Sequence, residues 1–360
     1  MHIGLLIYGE MDTISGGYLY NRQLVAYLRS QGEQVTIISL PYRNYRSHLT
    51  DNFKRSCLKQ LIATKIDILI QDAMVHPSVF FLNKWLYQET KVPIIGLVHL
   101  LTSYDQHSLL SVWFYRFIER RYLQSMSGFI LNSQTTVQQF NELSPKSIKP
   151  YCVAVPAGNN FKDIALDINV IKQRCLSLGP LRILVVGNVI RRKGLHVLIN
   201  ALSLLPHSGY KVTVAGCLDM EPNYVQYLKK LIKTKCLDES IVFKGPIKGE
   251  DLADLYRAHN VMVLPSAYES YGIVYVEAQQ FALPVLGTTA GAAKEIIKHG
   301  DNGYLIEPED HQVLATLLQT MQQDRELLFQ ISQNAYGAYE RHPKWQESCE
   351  VIRRFLYTLA

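Results

Sequence analysis

Short runs of Ile, Val and Leu recur along the chain, each followed by a stretch whose apolar residues return every three or four positions. "HIGLLIYG", "EQVTIISL", "IDILIQD", "VPIIGLVHL" and "SGFILNS" read as strands. Continuous apolar runs of this kind mark parallel strands buried on both faces. After the first of them, "GYLYNRQLVAYLRSQG" has helical spacing, with Tyr20, Leu24 and Leu28 on one side and Gly32 as its stop. The pattern repeats further on: "LRILVVGNV", "YKVTVAGC", "SIVFKGPI", "NVMVLPSA" and "LPVLGTT" are strands, separated by helical stretches such as "GLHVLINALSLL" and "EPNYVQYLKKLIKTK". Strand and helix in alternation predict α/β, doubly wound, Rossmann-like domains.

Between the two series lies a stretch rich in Pro, Gly and Asn with no clear strand, so the boundary is expected at about 155–180. The expected domains are 1–160 and 175–340, with one last helix from about Gln333 to Leu359. Ligands of such sheets bind at the carboxyl ends of the strands, so two domains facing each other imply a cleft.

Composition changes this picture little. In 360 residues, 48% hydrophobic and 19% charged positions are ordinary for a globular chain with sizeable cores. The net charge of +6 sits mainly in residues 1–160, which hold 15 Lys and Arg against 10 Asp and Glu. That suits an anionic partner or membrane surface but is too weak for a nucleic-acid binder. Six scattered cysteines without Cys-x-x-Cys or zinc spacing read as reduced and buried, as in a cytoplasmic protein. The N-terminus lacks the basic region of a signal peptide, and no apolar run is long enough to span a membrane.

Four segments carry candidate chemistry. "ISGGYLYN" places Gly16 and Gly17 at the opening of the first helix, where a backbone can approach a phosphate or sugar; glycine also suits any such turn. "VGNVIRRKGLHVLI" sets Arg191, Arg192 and Lys193 at a strand end and helix start, either a diphosphate seat or a solvated basic turn. His99 ends a strand in "IIGLVHLLTS", as a packed residue or a catalyst. In "YESYGIVYVEAQQ", Glu269 stands outside the expected helix, with Ser270 a candidate N-cap, and Glu277 lies inside it. Eight residues at 100° each leave the two about 80° off a shared face, so they need not converge on one bond. The helix start between them, near Tyr271, Gly272, Ile273 and Val274, is a natural phosphate seat, and the carboxylates suit sugar hydroxyls.

Taken in order, these segments, with "VPAGNN", "LPVLGTTAGAAKEII" and "NGYLIEPED", resemble the retaining glycosyltransferases of family 4, the glycosyl transferases group 1, with the GT-B architecture. The resemblance covers nearly the whole chain. It implies transfer of a sugar from a nucleotide diphosphate sugar, without a metal or other cofactor, to a saccharide or lipid-linked acceptor. It implies His99 and Glu269 at the transferred sugar and Glu277 on the ribose. Lys193 and the backbone near Ser270, Tyr271, Gly272 and Ile273 would hold the phosphates, Ile247 would lie near the base, and Gly16 and Gly17 would form a loop over donor and acceptor. The final helix, about 340–360, would pack back on the first domain. Two positions depart from the pattern. Asn188 stands where an Arg is usual, a loss of roughly 1.5–3 kcal/mol if nothing replaces the charge. Only Gly291 remains of a usual glycine pair in "TAGAAKE".

Two other readings stay open: a non-catalytic nucleotide-sugar-binding protein and a nucleotide-sugar epimerase of the same architecture. For "SVWFYRFIERRYLQSM", residues 111–126, a helix packed on the sheet with its arginines in water competes with one lying on an anionic membrane at its inner face.

Overall fold

In the computed structural model, residues 1–54, 59, 61–104, 109–145, 149–161 and 166–360 are described. They form two compact units, Met1–Pro156 with Pro343–Ala360, and Ala157–His342.

The first unit is built on a parallel sheet of β1 (His2–Tyr8), β2 (Gln34–Leu40), β3 (Ile68–Asp72), β4 (Ile94–Val98), β5 (Gly128–Leu131) and β6 (Tyr151–Val153). Their order is β2-β1-β3-β4-β5-β6. β3, β4 and β5 are buried at every position, which explains their unbroken apolar runs. The second unit repeats the plan with β7 (Leu181–Val186), β8 (Tyr210–Ala215), β9 (Ile241–Gly245), β10 (Val261–Val263), β11 (Val285–Thr288) and β12 (Gly303–Ile306), ordered β12-β11-β10-β7-β8-β9. In each sheet the winding reverses beside the first strand, between β1 and β3 and between β7 and β10. Those reversals open the crevices in which doubly wound sheets take their ligands.

Four sequence expectations are corrected. β6 and β12 are additional strands; neither is buried along its whole length, so neither carries the unbroken apolar run of β3, β4 and β5. The expected single last helix is two, Arg325–Arg341 and Trp345–Tyr357. Pro343 breaks it, because proline lacks an N–H and drives the preceding residue out of helical geometry; His342 has ψ 138°. The second helix packs within the first unit and buries Trp345, Cys349, Ile352 and Leu356 there. The helix of the Glu277 segment starts at Ile273, and its N-cap is Gly272 rather than Ser270. Finally, Cys236 is exposed, whereas Cys175 and Cys349 are buried; Cys57 lies outside the described residues.

Candidate active site

In the second unit, the chain leaves β7 at Gly187 and turns through Arg191–Lys193 into the helix Leu195–Leu202. Gly194, with φ +69°, closes that turn; a Cβ there would stand 1.9 Å from the Pro265 carbonyl oxygen. This close approach joins the loop after β7 to the loop after β10, across the winding reversal. Lys193 Nζ donates to Glu269 Oε2 at 2.6 Å, and Ser266 Oγ donates to the same oxygen at 3.3 Å. Arg192 donates to the Tyr268 carbonyl at 2.8 Å. Glu269 is nearly sealed from solvent. Burial pushes its carboxyl up, but the Lys193 and Arg192 charges and the Lys193 and Ser266 hydrogen bonds outweigh it and hold it below the usual value. Arg191 points elsewhere: its guanidinium lies over the rings of Tyr224 and Tyr227 at 5.5 and 5.7 Å. Asn188 takes part through its backbone, its carbonyl accepting from Ile190 N–H at 2.9 Å.

Gly291 holds the Glu269 loop from the other side. Its φ is +88°, and a Cβ would stand 2.0 Å from the Glu269 carbonyl oxygen. That carbonyl accepts from Ala292 N–H at 2.9 Å. The remaining glycine of the departed pair is therefore the one whose lack of a side chain lets the two loops touch.

The helix Ile273–Gln280 begins at Gly272, whose φ of +97° and closeness to Tyr275 admit no side chain. Gly272 has no side chain to cap this start; the Tyr275 N–H donates to the Gly272 carbonyl at 2.9 Å, and the Ile273 and Val274 N–H groups have no acceptor within the helix. Tyr271 turns its ring into the interior, its hydroxyl 3.3 Å from His342 Nε2, so it presents only backbone. One turn on, Glu277 Oε1 accepts from Asn160 Nδ2 at 2.6 Å and Oε2 from Tyr256 OH at 3.0 Å. Burial raises the Glu277 carboxyl above the usual range, more than those two bonds lower it. Gly158 lets the connecting segment lie against the helix, since a Cβ there would meet the Val276 carbonyl carbon at 2.6 Å. Asn160 and Tyr256 escaped the sequence reading: "VPAGNN" stood out as a motif, but nothing in its spacing pointed to Glu277. Ile247 lies half-buried in the loop after β9, between Gly245 and Gly249.

In the first unit, Ser15 caps the helix Gly16–Ser30, and Gly17 abuts His99: a Cβ would stand 3.3 Å from His99 Cδ2. The Gly-Gly loop and the histidine are thus one site. His99 Nε2 is 3.3 Å from Asn21 Oδ1 and 3.7 Å from Asp72 Oδ2. Asn21 Nδ2 donates to Asp72 at 2.7 Å, which turns its carbonyl oxygen to the ring. Nε2 therefore carries the proton and Nδ1 is the acceptor. Burial holds His99 below its ordinary value against the pull of Asp72, so the ring is neutral at pH 7. Among the described residues no group of three or more His, Cys, Asp and Glu is placed to hold a metal ion.

Residues 169–338 match the family glycosyl transferases group 1. The chain is 36% identical over 134 residues to an uncharacterized glycosyltransferase of Methanocaldococcus jannaschii, covering 37% of this chain and 33% of the relative. The chain spans about a third of the length of the curated relatives it matches. Among solved structures, sucrose-phosphate synthase from Thermosynechococcus elongatus superposes with a TM-score of 0.83 at 19% identity, over 99% of this chain and 98% of that one. HepE of Anabaena, solved with UDP-glucose, gives 0.77 at 20% identity over 100% and 99%. The fold is that of a GT-B protein, two six-stranded parallel sheets with flanking helices. The stretch that matches the glycosyl transferases group 1 lies within the second unit.

Proposed function

We propose that the chain is a metal-independent, retaining glycosyltransferase that takes a nucleotide diphosphate sugar as donor. One observation carries this: two buried glutamates flank an uncapped helix start, and each has its own partners. Glu269, kept ionised by Lys193 and Arg192, is suited to accept from hydroxyls of the transferred sugar. Glu277, braced by Asn160 and Tyr256, is suited to a ribose diol. The helix start at Gly272 and Ile273, with Lys193 beside it, is suited to the diphosphate and to the charge that develops there as the glycosidic bond breaks. Arg192 supplies near Glu269 the second cation that Asn188 does not. His99 and the Gly16–Gly17 loop are assigned to the sugar and acceptor. The nucleotide sugar named with HepE makes UDP-glucose the first donor to try. The acceptor is assigned only by class, a saccharide or lipid-linked saccharide.

The test offers the purified chain a panel of nucleotide sugars and follows melting temperature and donor hydrolysis. One donor is expected to raise Tm by several degrees at saturating concentration and to be hydrolysed slowly without acceptor. If no nucleotide sugar binds, the reading fails. Tight binding with neither hydrolysis nor transfer to any acceptor would favour a non-catalytic binding protein.

A further inference from the structure

The helix Leu109–Ser125 in the first unit carries its large aromatic residues outward. Trp113 is 73% exposed, Phe117 43% and Phe114 39%. Its inner face packs on the sheet through Ile118, Tyr122 and Leu123, so the outer rings are surplus to the core. The amphipathic logic of a surface helix would put polar residues there. At 100° per residue, Trp113 and Phe117 lie about 40° apart on one line, and Arg121 about 40° further round. Arg116 and Arg120 flank the other side of that line. The Trp113 and Phe117 rings stack at 6.4 Å, and the Arg121 guanidinium lies over Phe117 at 5.4 Å.

On the helix itself the exposed charge has one sign. The only acid of the helix, Glu119, is turned inward and buried. The helix Leu82–Thr90, tied to it by Asn83 Nδ2 donating to Ser125 Oγ at 3.0 Å, exposes Lys84, Trp85 and Tyr87 and is followed by the exposed Lys91. Among the described residues from 81 to 125, exposed Lys and Arg outnumber exposed acids five to one, Glu89 being the acid.

We propose that this face is a peripheral docking surface for an anionic lipid bilayer, with Trp113, Phe114 and Phe117 entering the headgroup boundary and Arg116 and Arg121 meeting lipid phosphates. Aromatic rings combined with arginines suit that boundary, where an apolar body and a charged layer meet within a few ångströms. A second copy of the chain fits less well: a two-fold contact through this face would set arginine against arginine with no exposed acid on the helix to compensate. No described helix is long and apolar enough to cross a membrane, so the contact is interfacial. The proposal does not depend on the donor reading.

The test is co-sedimentation of the full chain with phosphatidylcholine vesicles and with vesicles containing phosphatidylglycerol. Binding to the anionic vesicles is expected, weakened at least tenfold by Arg116→Gln with Arg121→Gln and by raised salt. Trp113→Ala with Phe117→Ala is expected to weaken it comparably at unchanged charge. All three outer side chains can be removed without opening the core, and an unaltered melting temperature and circular dichroism spectrum of each variant establishes that the fold is retained. Equal binding to neutral and anionic vesicles, no binding to either, or wild-type binding by both variants overturns the proposal. So does concentration-dependent dimerisation in ultracentrifugation that Trp113→Ala abolishes.

Discussion

Glu269 and Glu277 are both nearly sealed from solvent, yet their surroundings push them in opposite directions. Lys193 and Arg192 offset the burial of Glu269, whereas among the described residues Glu277 accepts from two neutral donors, Asn160 and Tyr256. A carboxyl whose ionised form burial disfavours gains most when a diol brings it two further hydrogen bonds. Glu277→Gln tests this without opening a cavity: the amide can accept from Asn160 and donate to the Tyr256 hydroxyl, so the fold should hold. Donor affinity should fall by about tenfold, the difference between bonds to a charged and to a neutral acceptor. Isothermal titration with the donor found in the panel measures it, and unchanged affinity would contradict the role of Glu277. Replacement by Ala is a poorer probe, because it leaves Asn160 Nδ2 and Tyr256 OH without this acceptor.

At the scale of elements, glycines decide how closely the loops above the second sheet approach one another. Gly291→Ala places a methyl group about where the Glu269 carbonyl oxygen now stands and forces alanine to φ +88°. Such strain costs on the order of 1–3 kcal/mol, and the Glu269 loop must move to relieve it. The variant should melt several degrees lower and lose most of its stabilisation by donor; a wild-type response to donor would show that Gly291 does not position Glu269. Much of this region was legible in the sequence. The strands were readable because their runs are buried on both faces, and the two glutamates because one precedes and one lies inside a helix. What escaped has a physical cause. The partners of Glu277 come from positions 117 and 21 residues away, beyond any local period. The helix start moved to Ile273 because Gly272 occupies the left-handed region, which a serine N-cap signal does not reveal. Lys193 and Glu269 were assigned to separate parts of the ligand, and their mutual ion pair became visible only when the β7 and β10 loops met.

Over the whole molecule, buried titratable groups set how stability follows pH, and in the first unit Glu119 and His76 are shifted with opposite signs. Burial raises Glu119 to about 7, and bonds from Ser103 and Thr102 with the Arg116 charge do not offset it. Folding thus favours its protonated form: its contribution is full below about 4.5 and is lost as pH rises through about 7. Burial lowers His76 to about 4, so folding favours the neutral ring; that contribution is full above about 6.5 and is lost as pH falls through about 4. Between about 4.5 and 6.5 the two slopes oppose each other, and the stability of the wild-type chain should vary little from this pair. Glu119→Gln removes one slope. The variant should gain stability as pH rises from 4.5 to 6.5, and at pH 8 it should exceed wild type by up to roughly 3 kcal/mol, the free energy of a shift from 4.5 to about 7. Urea unfolding at pH 5, 6.5 and 8, followed by circular dichroism, measures this. Parallel pH curves for the two proteins would mean that Glu119 is already ionised at neutral pH. In that case the buried face of the helix Leu109–Ser125 would carry a negative charge directly beneath its arginines.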